Sequence, residues 1–369
     1  MEFVILGGSG IQGQAITKYL YEETKDKMVV LDPKPPPEHI VEMCGDRLEH
    51  KENGFSYSFM PKTKEEEQLI VISCLPTEEN LRIMKYCLDE SAKGYVHHFI
   101  DLGGSTEVAL KQSELHDKAA KVGSINVLEA GLAPGIISPM AADIAKDDGV
   151  IGIRIYCAGL VKYPEAPHYH GKTFYTGGMI KEYLGIAREI VNGEVRNYPA
   201  LSGEEDVFVP GLGLLRARRT SGGLSILPYG LNIQNLAYKT LRFPGHWEFV
   251  QNHILNQQDP VYVLDSVLPE INADNPDVVT LCFHIDYEDG DEIIERYFFE
   301  YDYEYDLPAM AQATGYVVGA VATMIKDGLV PPGVNAMHEL DAGELCERAQ
   351  LDRGCFSNQP IIYEPEEEE

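Results

Sequence analysis

The chemistry starts at Gly8-Ser9-Gly10-Ile11-Gln12-Gly13, a G-x-G-x-x-G spacing between an apolar run and an amphipathic stretch. Glycines at these positions allow a tight turn, and they let backbone N–H groups at a helix start approach a pyrophosphate. The pattern alone is weak. Here it follows a strand, opens a helix and has an acid at the right distance, which is the context it requires. That acid is Asp32, nineteen residues after Gly13, where a carboxylate would accept from the adenosine ribose hydroxyls. It would also repel a 2′-phosphate, so the residues predict NAD, with NADP less favoured. The loop residues expected at the cofactor are Gly8, Gly10, Ile11, Gln12 and Gly13, with Asp32. Cys74-Leu75-Pro76 closes a later apolar strand and is expected to line the dinucleotide. No histidine stands at a spacing that would make Cys74 a nucleophile.

Asp101 ends another apolar run just before two glycines. Strand C-termini in open α/β sheets point into the ligand crevice. A carboxylate there either accepts a proton or holds a positive charge on a substrate, or it caps its own loop. Glu129 is a second candidate of the same kind.

The elements that position these residues read as short β-rich runs alternating with helical patterns. Runs at 2–6, 28–31, 68–73, 96–101 and 124–128, with helices near 12–23 and 77–93, predict a doubly wound parallel sheet. The texture changes near residue 131. A helix over about 137–146 precedes strands at 150–156, 225–227, 236–242 and 278–287, interrupted by a helix at 178–191. Glu288-Asp289-Gly290-Asp291 predicts a hairpin to a strand at 292–301. The fold class expected is α/β, an N-terminal Rossmann domain plus an α+β domain with a mixed or antiparallel sheet. The boundaries expected are 1–135 for NAD binding, 136–307 for substrate binding and dimerisation, and 346–369 for a tail with a disordered acidic end. The helix at 310–326 carries Gly315 and Gly319, small residues four apart, so the segment 308–345 is expected to pack back onto the first domain.

The 369 residues carry 30 Lys and Arg against 59 Asp and Glu, a formal charge of −29. Such a balance argues against nucleic acid, whose binding needs clustered cations, and is read as a solubility feature. No apolar run reaches the ~20 residues of a membrane helix, and the N-terminus lacks the parts of a secretory signal. A cytoplasmic chain without membrane partners is expected. Seven cysteines without a C-x-x-C pair predict reduced thiols. His168 and His170 have an H-x-H spacing but no acid or cysteine at ligand spacing, so no metal is expected. The cluster Tyr301–Asp306 is expected to be a solvated edge or a dimer surface.

Two further stretches, Asp101-Leu102-Gly103-Gly104-Ser105 and Glu129-Ala130-Gly131-Leu132-Ala133-Pro134-Gly135, complete a pattern with the N-terminal loop. Together they resemble the saccharopine dehydrogenase-like superfamily, and within it the lysine 6-dehydrogenases. Gly178-Met179-Ile180-Lys181-Glu182-Tyr183, Thr220-Ser221-Gly222-Gly223 and the run from Tyr238 to His246 keep the family order. The family's Gly-Leu-Pro-Gln is here Gly159-Leu160-Val161-Lys162, and residues 163–173 depart from its pattern. The resemblance implies a homodimer that uses NAD to oxidise the carbon bearing an amine. For a lysine 6-dehydrogenase it implies loss of the side-chain amine as ammonia and cyclisation of the semialdehyde to a piperideine carboxylate. It also places Leu102, Ala133 and Pro134 at the cofactor.

Such a reaction sets three tasks. The ammonium, with a free pKa of ~10.4, must lose its proton before hydride can leave its carbon. The carbon must sit against the nicotinamide. An α-carboxylate must be anchored, which calls for Arg or backbone donors. Asp101 and His246 are the expected proton-handling residues, with a loop-structural histidine the other reading of His246. Arg242, helped by Thr220 and Ser221, is the expected anchor, an ordinary ion pair being its alternative; Glu129 is expected to touch the substrate. The rival readings are a saccharopine- or carboxynorspermidine-type reductase forming a secondary amine with NAD(P)H, and a dinucleotide-sensing protein without catalysis.

Overall fold

A computed structural model describes residues 1–52 and 68–351. The expected disorder of the acidic end falls at residues 352–369 and lies outside the described residues. Two compact units divide the described residues: unit 1 comprises residues 1–52, 68–146, 224–231 and 311–350, and unit 2 comprises 147–223, 232–310 and 351.

Unit 1 is built on a seven-stranded, all-parallel sheet. Its strands are β1 (Glu2–Leu6), β2 (Lys27–Leu31), β3 (Leu48–Lys51), β4 (Leu69–Ser73), β5 (His97–Asp101), β6 (Ile125–Leu128) and, at one edge, Gly333–Ala336. The spatial order from that edge is Gly333–Ala336, β6, β5, β4, β1, β2, β3. The order reverses between β1 and β4, which is where open α/β sheets hold their ligands. The strands are continuous apolar runs because both faces are covered; every residue of β4 and β5 is buried. The helix Ile11–Glu23 packs closely with the helix Ala309–Lys326. A Cβ on Gly315 would lie 2.5 Å from Ala15 Cβ, and one on Gly319 would lie 2.1 Å from Tyr19 Cδ1. Only glycine admits that approach.

Unit 2 carries an eight-stranded mixed sheet made of β7 (Val150–Val161), β8 (Ile186–Val191), β9 (Glu194–Pro199), β10 (Glu205–Val209), β11 (Gly213–Arg218), β12 (Asn235–Arg242), β13 (Asp277–Tyr287) and β14 (Glu292–Glu300). The order is β10, β11, β12, β7, β13, β14, with β8 paired to β12 and β9. Only β12 and β7 run parallel among the described pairs of this sheet. β13 and β14 form the expected hairpin, with Gly290 at φ +91° and its N–H donated to Tyr287 O at 3.1 Å.

Two local expectations are corrected. The stretch 178–191 is a helix only over Thr176–Leu184. It stops at Gly185 in an extended conformation, and Ile186–Val191 becomes β8. Apolar residues there satisfy both periods, and the decisive signal is the Asn192-Gly193 turn at φ +52° and +78°, which closes a β8–β9 hairpin. Residues 225–227 are no strand either. Ser225 sits at φ +42° and leads into the single turn Leu227–Gly230, which belongs to unit 1.

Among the described residues no helix is long and apolar enough to cross a membrane. The six described cysteines are free.

Candidate functional site

In unit 1 the glycine loop turns directly from β1 into the helix Ile11–Glu23. Gly10 caps the helix in an extended conformation, and its N–H donates to Gly7 O at 3.1 Å. Gly13 is pressed against the loop, since a Cβ there would lie 2.4 Å from Gly8 Cα and 2.5 Å from Gly8 O. Gly8 in turn leaves 2.9 Å for a Cβ against Val30 Cγ2 on β2. The first helical hydrogen bond runs from Gln14 N–H to Gly10 O, so the N–H groups of Ile11, Gln12 and Gly13 open the helix without an intrahelical acceptor. No acid occupies the first turn. These features fit a pyrophosphate.

Asp32 follows β2 and is half-buried. Its Oδ2 accepts from Ser9 N–H at 3.2 Å and its Oδ1 from Lys34 N–H at 2.9 Å. A carboxylate offers about four acceptor positions, so two remain for ribose hydroxyls. Cys74 N–H donates to Leu6 O at 2.9 Å, and Leu75 Cδ2 stands against Gly7, which has φ +71°. Burial pushes the Cys74 thiol up to about 12, which removes it as a nucleophile at neutral pH.

Asp101, at the end of β5, is 1% exposed. Its Oδ1 accepts from Gly103 N–H at 2.9 Å and Glu129 N–H at 3.0 Å, and its Oδ2 from Gln112 Nε2 at 2.8 Å. The carboxylate therefore ties the loop after β5 to the loop after β6. Burial raises its pKa while those three donors pull it back. This is the capping geometry, with the acceptor capacity largely spent on the chain itself.

Glu129 differs. It follows β6 at φ +62°, a conformation unusual for a side chain with a Cβ, and it is 4% exposed. The Ser225 hydroxyl donates to its Oε1, and Ser225 lies within reach of Thr106 Oγ1. Burial pushes the Glu129 carboxyl up to about 8, against the lowering effect of the Ser225 bond. Leu102 and Gly103 follow Asp101, and a Cβ on Gly103 would lie 2.9 Å from Pro134 Cγ and 3.0 Å from Glu129 Cα. The Ala133-Pro134 bond is cis. The loops of β5 and β6 thus interlock around Glu129.

In unit 2, Tyr238, Thr240 and Arg242 alternate along β12 and so share one face. Thr220 Oγ1 lies 2.7 Å from Thr240 Oγ1, and Ser221 Oγ donates to Lys181 O at 3.1 Å. Arg242 is 1% exposed, with Nη1 on Leu241 O at 2.9 Å and Nε on Tyr183 Oη at 3.1 Å. Tyr183 Oη stands 3.0 Å from His246 Nε2, and His246 Nδ1 stands 2.7 Å from His168 O. The carbonyl can only accept, so Nδ1 carries the proton, Nε2 accepts from Tyr183 O–H, and Tyr183 oxygen accepts from Arg242. One proton arrangement satisfies the whole relay. Burial and then the Arg242 charge push His246 down to about 3, so the ring is neutral and neither nitrogen is free. The relay instead holds the segment that carries His168 and His170. Tyr183→Phe should expose this: it strands buried Arg242 Nε and His246 Nε2, and stability measured by urea unfolding should fall by roughly 2–4 kcal/mol.

Sequence reasoning missed Ser225, Tyr183 and Glu182. Burial pushes the Glu182 carboxyl up to about 7, with the Arg242 charge opposing. Only the inclusion of Glu182 and Tyr183 in a recognisable segment hinted at them, and nothing in the spacing pairs Ser225 with Glu129.

Comparisons with known proteins give the family and the fold. The sequence profile of the saccharopine dehydrogenase C-terminal domain matches residues 131–350. Saccharopine dehydrogenase (L-Glu forming) from Saccharomyces cerevisiae superposes with a TM-score of 0.72 at 15% identity, covering 96% of this chain and 98% of that one. The homospermidine synthase of Legionella pneumophila, solved in complex with NAD, gives a TM-score of 0.69 at 15% identity over 100% of this chain and 95% of that one. At such identities the two structures speak to the fold.

Proposed function

Since the chain belongs to the saccharopine dehydrogenase family, whose C-terminal domain profile covers residues 131–350, we propose that it is an NAD-dependent oxidoreductase acting at the carbon–nitrogen bond of an amino acid, with the side-chain amine of L-lysine as substrate. The same reading includes loss of that amine as ammonia, cyclisation of the semialdehyde, a cytoplasmic setting and a homodimer. The observation that carries it is Glu129, a buried acid at the C-terminal end of a parallel strand, held by the Ser225 hydroxyl and pushed up to about 8 by burial. The complex of the homospermidine synthase with NAD supports the choice of cofactor.

Bound NAD would supply the hydride acceptor, and the chain's own residues do the rest. The N–H groups of Ile11, Gln12 and Gly13 would hold its pyrophosphate, and Asp32 would accept from its ribose hydroxyls. Glu129 takes the proton from the substrate ammonium. A base with pKa near 8 facing an amine near 10.4 accepts a proton uphill by roughly 3 kcal/mol, within what a catalysed step tolerates. The Ser225 hydroxyl holds the Glu129 oxygen in place, and Asp101 keeps both loops fixed. These assignments shift the base from Asp101 to Glu129 and make His246 and Arg242 positioning residues.

Asp32→Ala should weaken NAD about tenfold or more and narrow the preference for NAD over NADP. Titration of both cofactors checks this, and unchanged discrimination would remove Asp32 as the ribose reader. Ranking kcat/KM for lysine, ornithine and saccharopine tests the substrate. Saccharopine preferred over lysine would replace the deaminating reading with the secondary-amine one.

A further inference from the structure

Unit 2 encloses a cavity of about 580 Å³ between the segment after β7 and the segment before β13. Tyr163, Glu165, His168, His170, Glu270 and Asp274 are among its walls. His170 is 1% exposed, and neither of its ring nitrogens has a hydrogen-bond partner. It packs edge-on against His246 at 4.9 Å. A buried imidazole gives up the hydrogen bonds of water at both nitrogens, a loss that a bound polar group would recover. Burial and then the Arg242 charge hold His170 well below its usual range. Its ring is therefore neutral and offers one N–H donor and one lone pair.

The charge around the mouth is negative. Glu165, Glu270 and Asp274 supply three carboxylates. Of the neighbouring cations, Lys172 is held by Glu270 at 2.6 Å and Asp265 at 3.6 Å, and Arg242, whose charge reaches His170, is bound to Tyr183 Oη and Leu241 O. The walls are firm. Asn272 Oδ1 accepts from Asp274 N–H and Asn275 N–H, both at 3.0 Å, and His168 O is held by His246 at 2.7 Å. Among the described residues no group of three or more His, Cys, Asp or Glu is placed to hold a metal ion. Carboxylates spread around a roomy mouth suit an organic cation better.

We propose that this cavity binds an aliphatic ammonium compound, its cation held by Glu165 and Asp274 and a second polar group meeting His170. The proposal deepens the amine reading given above, but binding requires no turnover, so the two can fail separately.

The test is calorimetric titration of the full-length protein with L-lysine, 1,5-diaminopentane and glutarate, with and without NAD. Both amines should bind and glutarate should not. The double variant Glu165→Gln, Asp274→Asn, at two exposed positions, should weaken both amines about tenfold or more and leave NAD affinity unchanged. His170→Phe should weaken lysine, which carries an acceptor for the imidazole N–H, and its folding is checked by melting temperature. Glutarate binding as tightly as the amines, no amine binding, or amine affinity untouched by the double variant would each overturn the site. Amine binding that survives while NAD turnover fails would sink the redox reading and leave this one standing.

Discussion

Glu129→Gln should lower kcat for amine oxidation by about 10²–10⁴ while leaving NAD affinity within about twofold, the range expected when a positioned proton acceptor is lost. Gln keeps the shape of the protonated acid and still accepts from the Ser225 hydroxyl, so the change is one of proton chemistry. In the native enzyme, kcat/KM for oxidation should climb with pH through about 8, because burial raises the carboxyl to that value and only the ionised form accepts a proton. The variant should lack this limb. Stability gives an independent readout. The folded chain keeps a proton that the unfolded chain releases between about 4.5 and about 8, so stability drains away as pH rises through that window. Nothing ionises in the Gln variant, so it should be the more stable protein at pH 8 and above, by up to about 5 kcal/mol. Near pH 4.5 the two should be alike. A native rate profile flat across pH 8 would remove Glu129 from the proton path.

Gly13→Val should abolish dinucleotide binding in practice, raising Kd for NAD by about a hundredfold or more. The added atoms would meet backbone: a Cβ alone falls 2.4 Å from Gly8 Cα and 2.6 Å from Gly8 C. Backbone cannot rotate aside as a side chain can, so the loop must lift away from the helix start that faces the pyrophosphate. Overpacking of this kind also costs about 1–3 kcal/mol. Gly10→Ala is the comparison, because a Cβ there has only Gly7 O nearby, at 3.3 Å. Its effect on NAD should be much smaller. Equal losses in the two variants would contradict the geometry given to the loop.

The parallel sheet was legible because it is local. An apolar strand, a glycine turn and a helix lie within residues 2–23, and β4, β5 and β6 repeat the pattern with buried runs. The second sheet was only half legible. β13 and β14 announce themselves by a four-residue turn, whereas β8 lies in a stretch apolar at either period, with only the Asn192-Gly193 turn to mark its end. β9, β10 and β11 went unread, and β9 in particular is mostly exposed, with no buried face to pattern it.

Candidate site residues were legible by type and not by role. Asp101 and Glu129 both follow strands, and sequence alone ranked Asp101 first. What separates them is how many donors each carboxylate meets: three for Asp101, including the Glu129 amide 28 residues away, against two for Glu129, the Ser225 hydroxyl at a separation of 96 residues and the Ile226 backbone N–H. Such pairings follow from tertiary packing and leave no periodic trace. The same holds for His170, whose unmet nitrogens exist only because the fold buries them.

The central claim, an NAD-dependent oxidation at an amine-bearing carbon, is tested most directly by following NADH formation when the purified protein is mixed with NAD and L-lysine, ornithine, saccharopine or a diamine at pH 8 to 9. The account predicts amine-dependent NADH formation, greatest with lysine and lost in Glu129→Gln. No cofactor turnover with any amine, in either direction and with either NAD or NADP, would contradict it.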